Sequence, residues 1–114
     1  MRSLVLLLML SCAASTPTTP LGETFTLTPG NSVTVDGVLI TFVAAGQDSR
    51  CPPDVQCIWE GDAEVRLRVG TEAVTLHTHG GTQYPNSATV NGRTITLRDL
   101  TRSPYTATLV VTQP

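Results

Sequence analysis

The sequence predicts an all-β fold, a small antiparallel β-sandwich or partly closed barrel of about seven strands. Three observations carry that expectation. Charged residues make up only 14% of the chain while Thr, Val, Gly and Pro abound, a composition that suits short strands and tight turns better than amphipathic helices. From Thr24 onward apolar and polar residues alternate with period two, as expected of strands with one buried face. Turn signals such as Pro29-Gly30-Asn31, Asp36-Gly37, Gly80-Gly81 and Asn91-Gly92 break that alternation at short intervals.

Taken in order, Phe25 and Leu27 share one face of the first strand, and Val33 and Val35 share one face of the second. Asp36-Gly37 is a two-residue hairpin signal, because Gly tolerates positive φ. Val38, Ile40 and Phe42 point one way in the third strand. After a polar loop Ala63, Val65, Leu67 and Val69 point inward, with Glu64, Arg66 and Arg68 outward. Val74, Leu76 and Thr78 form the next strand, and a loop with Tyr84-Pro85-Asn86 and the Asn91-Gly92 turn leads to Ile95 and Leu97. A helical turn is expected over residues 98–101, and Ala107, Leu109 and Val111 make the last strand. No repeat or internal boundary interrupts residues 23–114, which read as a single β domain of about 90 residues.

The N-terminal end has a different character. Arg2, the apolar run over residues 4–10 and the small Ser11 have the layout of a secretory signal. The run is far short of the ~20 residues that span a bilayer. Its end, Leu8-Met9-Leu10-Ser11-Cys12, resembles the lipobox of bacterial lipoproteins, in which a small residue precedes the Cys that becomes the acylated N-terminus; Met9 stands where that pattern usually has Leu. The resemblance implies a signal peptide over residues 1–11, lipidation at Cys12, and a place on the cell membrane or outer membrane facing the periplasm or exterior. Residues 12–22, rich in Ala, Ser, Thr and Pro, read as a flexible tether.

The most distinctive stretch is Asp48-Ser49-Arg50-Cys51-Pro52-Pro53-Asp54-Val55-Gln56-Cys57-Ile58-Trp59-Glu60-Gly61-Asp62-Ala63. It resembles a segment of small hypothetical bacterial lipoproteins, which implies no known activity. Two Cys bracketing five residues in an exported chain favour a disulfide between Cys51 and Cys57. A redox role fits poorly, since catalytic dithiols favour a two-residue spacer and depressed thiol pKa values. Trp59 either packs the core under the loop or serves as an aromatic anchor for a partner. Asp48 and Arg50 are expected to order the loop, Asp48 by accepting backbone amides and Arg50 by pairing with a carboxylate.

Candidates for chemistry are few. His77 and His79 leave the same face of a strand and form a weak metal-ligand pair for copper or zinc, lacking an accompanying ligand motif. Asp54, Glu60, Asp62 and Glu64 are close in sequence but lack the regular oxygen-ligand spacing of a calcium loop. Ser32, Ser49, Ser87 and Ser103 sit in no nucleophile elbow, so no catalytic residue and no cofactor is expected. With the leader removed, six Arg face nine Asp and Glu, which disfavours nucleic acid as a partner.

The sequence thus points to a noncatalytic binding or interaction module of the cell envelope, using the loop with Asp54, Val55, Gln56 and Trp59 and meeting an envelope protein or glycan. A metal-binding lipoprotein built on His77 and His79 is the alternative, and a structural envelope protein or protease inhibitor the second.

Overall fold

The computed structural model describes residues 17–52, 58 and 61–113. The expected signal peptide and Cys12 lie outside the described residues, as do Asp54, Val55, Gln56, Cys57 and Trp59. Among the described residues the chain forms nine strands: β1 (Thr18–Thr19), β2 (Thr24–Leu27), β3 (Ser32–Val35), β4 (Val38–Gly46), β5 (Glu64–Val69), β6 (Glu72–His77), β7 (Ser87–Val90), β8 (Arg93–Thr101) and β9 (Thr106–Thr112). They make two sheets, ordered β1-β3-β4-β5-β6 and β2-β9-β8-β7. All pairings are antiparallel except β1 with β3. The sheets pack face to face as a sandwich-like domain, not a closed barrel.

The period-two pattern explains which side of each strand is buried. In β5, Val65, Leu67 and Val69 are buried while Arg66 and Arg68 are exposed. Ile40 and Phe42 of β4 line the same inner face, opposed by Ile95 and Leu97 of β8 and by Leu109 and Val111 of β9. Each such side chain contributes about 1.5–3 kcal/mol when fully withdrawn from water. The outer face of the β2-β9-β8-β7 sheet carries Thr24, Thr26, Thr108, Thr96 and Thr89, β-branched residues that suit a pleated surface facing solvent.

Two strands exceed the sequence expectation. Thr18 and Thr19 lie alongside Thr34 and Val35, Leu21 packs against the core, and the Gly22 amide donates to the Val111 carbonyl at 2.8 Å. Pro17 to Gly22 therefore belong to the folded body rather than to a flexible tether. The other addition is β7, whose Ser-Ala-Thr-Val sequence alternates too weakly to announce itself.

The helical turn expected over residues 98–101 does not form, because those residues continue β8. A bulge between Leu97 and Asp99 shifts the register, so Leu97 and Leu100 both turn inward. That three-residue spacing mimics helical periodicity, whereas its cause is an extra residue in an extended strand. A second bulge, between Phe42 and Ala44 of β4, leaves Val43 half exposed beside a fully buried Phe42.

At one end of the sandwich Asp36-Gly37 and Asn91-Gly92 form tight turns with positive φ at all four residues, the conformation that two-residue hairpins demand. Arg93 Nε donates to Asp36 Oδ2 at 2.8 Å and joins the two sheets there. The opposite end gathers the β4–β5, β6–β7 and β8–β9 connections. Phe42 is the largest of the fully buried side chains; Phe42→Ala is expected to lower unfolding free energy in urea melts by about 3–5 kcal/mol. Thr26→Ala, on the open face, is expected to stay within about 0.5 kcal/mol.

Candidate functional site

The β4–β5 connection leaves the sheet with Asp48, Ser49 and Arg50 and returns with Gly61 and Asp62. The Asp48 carboxylate organises this base. Arg50 donates to it from Nε and Nη2, each at 2.9 Å, and the Arg50 amide donates to Oδ1 at 3.2 Å. Arg102 donates from Nε at 2.8 Å and from Nη2 at 3.0 Å, and the Tyr105 hydroxyl donates to Oδ2 at 2.9 Å. Arg50 Nη1 reaches on to the Leu100 carbonyl. Paired guanidinium forks on one carboxylate are among the stronger polar contacts a protein makes. The Arg50 bonds hold the Asp48 carboxyl well below the usual carboxylate range, against the opposing effect of burial, and Arg102 and Tyr105 lower it further.

A second set of bonds closes the loop from its other side. The Ser49 amide donates to the Asp62 carbonyl at 2.7 Å, and the Asp62 amide donates to Ser49 Oγ at 3.0 Å. Gly61 lets the two chain segments cross. Its φ is +77°, and a Cβ there would stand 2.7 Å from the Arg50 Cα, closer than any side chain tolerates. The glycine in the Trp-Glu-Gly-Asp run is thus a steric requirement of the crossing.

Asp62 also reaches the histidine pair. Its Oδ2 lies 2.6 Å from His77 Nδ1, and its Oδ1 accepts the His79 amide at 3.0 Å. Burial raises the Asp62 carboxyl, but the bonds from His77 and from the His79 amide outweigh it and leave the pKa below the ordinary value. His79 Nδ1 lies 2.8 Å from the Gly80 carbonyl. Tyr84 stands edge-on to both rings, with centroids 5.4 Å from His77 and 5.9 Å from His79. Between them Thr78 turns inward, its hydroxyl accepting the Ala63 amide at 3.0 Å. His79 and Tyr84, with Gly80, Gly81, Thr82 and Gln83, line an open concavity of about 330 Å³. Among the described residues no set of three or more His, Cys, Asp and Glu side chains is arranged to hold a metal ion.

Asp48 and Arg50 do order the loop base as the sequence suggests, Asp48 accepting a backbone amide and Arg50 pairing with a carboxylate, here Asp48 itself. Arg102 and Tyr105 were invisible in the sequence, because they lie 54 and 57 residues from their partner. Cys51 is partly buried at the loop base, but its expected pairing falls on Cys57, outside the described residues. Ile58, within the same segment, is fully exposed. Of the carboxylates weighed for calcium, Asp62 serves the histidines and Glu64 pairs with Arg66 at 2.9 Å, while Asp54 and Glu60 lie outside the described residues. Comparison with family models, with curated proteins and with solved structures finds no match for this chain.

Because the folded chain binds a proton at Asp48 less readily than the unfolded chain does, its stabilisation is complete above about pH 5, begins to decline as pH falls through the ordinary aspartate range near about 4, and goes on being lost toward the much lower pKa of the folded state. Asp48→Asn is expected to reduce stability at neutral pH by on the order of 2 kcal/mol. It should also flatten the decline in unfolding free energy between about pH 5 and pH 3, read from urea melts across that interval. Gly61→Ala is expected to cost at least about 2 kcal/mol by the same assay, since backbone strain and steric overlap add.

Proposed function

We propose that this chain is an exported lipoprotein, anchored through an acylated Cys12, whose β-sandwich acts as a noncatalytic binding module of the cell envelope. The loop with Asp54, Val55, Gln56 and Trp59 meets the partner, an envelope protein or glycan. Two or three acyl chains at Cys12 supply the multiple signals that stable membrane attachment requires, so the sandwich itself needs no membrane-binding surface.

The observation that carries this reading is the double closure of the loop base, by Ser49 with Asp62 and by Asp48 with Arg50, Arg102 and Tyr105. A segment whose two ends are already fixed gives up less freedom when it binds, so a small contact area suffices. A disulfide between Cys51 and Cys57, formed in an oxidising compartment, adds a further closure inside that base. Ile58 offers an apolar contact within the same segment. Loops held on a rigid sheet end are a common place for recognition.

A photo-crosslinking side chain placed at Ile58 and activated in the intact host is expected to yield a discrete adduct. That adduct should vanish when Asp54, Val55 and Gln56 are replaced by Gly and Ser, and the same probe at Thr26 should not produce it. Identical products from Ile58 and Thr26, or an adduct indifferent to the loop replacement, would remove the binding-loop reading. Cys12→Ser is expected to move the chain from the membrane to the soluble fraction and to abolish its acyl mass. Unchanged fractionation would remove the anchor.

A further inference from the structure

The β6–β7 connection carries a concavity that neither the packing of the sandwich nor the loop reading uses. Its walls are His79, Gly80, Gly81, Thr82, Gln83 and Tyr84, and its volume of about 330 Å³ lies at the lower end of the range for small-molecule sites. The connection is tied down on leaving Tyr84: the His77 amide donates to the Pro85 carbonyl at 2.9 Å, and the Leu97 amide to the Asn86 carbonyl at 2.7 Å. Tyr84 is held against the His77 and His79 rings, and His77 is held in turn by Asp62, yet 42% of Tyr84 remains exposed. The side chains of Thr82 and Gln83 make no bond elsewhere among the described residues, and both are exposed. Gly80 and Gly81 stand at positive φ and leave bare backbone on the rim.

The chemistry of these walls defines what fits. No Asp, Glu, Lys or Arg side chain lines the concavity, so a charged ligand meets no carboxylate, ammonium or guanidinium there. Two glycines, a threonine and a glutamine offer too little apolar surface to hold a hydrocarbon. What they do offer is one aromatic ring beside an amide and a hydroxyl that both donate and accept. A neutral pyranose matches that set, because each of its hydroxyls also donates and accepts, and its C–H face is attracted to the electron-rich face of an aromatic ring. We infer that this concavity binds one pyranose unit of a neutral glycan, with Tyr84 as the stacking platform and with Gln83 and Thr82 bonding to the sugar hydroxyls. His79 supports the platform from behind, its Nδ1 already against the Gly80 carbonyl. A platform fixed before the ligand arrives loses little freedom on binding. The inference rests neither on the acylation of Cys12 nor on the loop with Asp54, Val55, Gln56 and Trp59.

The test is calorimetric titration of the full chain, as its host produces it, with neutral tetrasaccharides of β-linked glucose, β-linked N-acetylglucosamine, α-linked glucose and α-linked mannose. Tetragalacturonate serves as the acidic comparison. At least one neutral tetrasaccharide is expected to bind with a Kd of about 0.1–5 mM, as one stacked ring and a few exposed hydrogen bonds allow. Tyr84→Ala is expected to weaken that binding at least about fivefold, while Tyr84→Phe, which keeps the ring, stays within about threefold of the parent. Thr82→Trp, which fills the concavity from an exposed position, is expected to weaken it at least about tenfold without loss of stability. Replacing Asp54, Val55 and Gln56 by Gly and Ser is expected to leave the affinity within about twofold, which separates this site from that loop. Absence of binding by every neutral tetrasaccharide up to about 10 mM overturns the inference, as does tetragalacturonate binding as tightly as the best of them. So does an affinity within about twofold of the parent in Tyr84→Ala or Thr82→Trp, or its loss on the loop replacement. If Tyr84→Ala fails to fold, Thr82→Trp decides alone.

Discussion

One carboxylate holds one end of this sandwich together, where the β4–β5 and β8–β9 connections meet. Asp48 accepts from two guanidiniums and a phenol that the chain brings from both sheets' connections, and its side chain is largely withdrawn from solvent. Removing water from charges is costly, and the arrangement is stable only because every approach to the carboxylate carries a well-placed donor. The β8–β9 hairpin is thereby fastened to the base of the β4–β5 loop. The bulges in β4 and β8 fall toward this same end, where the extra residue in each strand sharpens its twist and re-aims the chain beyond it.

Asp62 performs the complementary task with both its main chain and its side chain. Its backbone closes the loop against Ser49, while its carboxylate fixes His77 and caps the amide of His79. The loop base and the histidine pair are therefore neighbours that share a residue. What disturbs the position of Asp62 is felt at both, and Gly61, immediately before it, has no latitude in its own backbone.

Much of the fold was legible because burial of one sheet face imposes a strict alternation on the sequence. Val65, Leu67 and Val69 could hardly face anywhere else, and Asp36-Gly37 could hardly do other than turn. The alternation fails where a bulge inserts a residue, so Leu97 and Leu100 gave a helical spacing to what is a strand. It is also silent where the side chains are small, as in β7, or where a strand is only two residues long, as in β1. In the site, the Asp48–Arg50 pairing was legible because it is local. Arg102, Tyr105 and Tyr84 were not, because their roles depend on which hairpins the sheets bring to one end, and no local pattern encodes that.

The entry of the chain into the domain carries a mechanical implication. Thr18 and Thr19 join one sheet in parallel with β3, and a few residues later Gly22 and β2 join the other through β9. A pull exerted on Pro17 loads the β1–β3 bonds along their length, in shear, and any force that passes them arrives next at the opposite sheet. The N-terminal crossing thus works as a strain relief, dividing tension between the two layers before it reaches the end where Asp48 and Asp62 hold their loops in place.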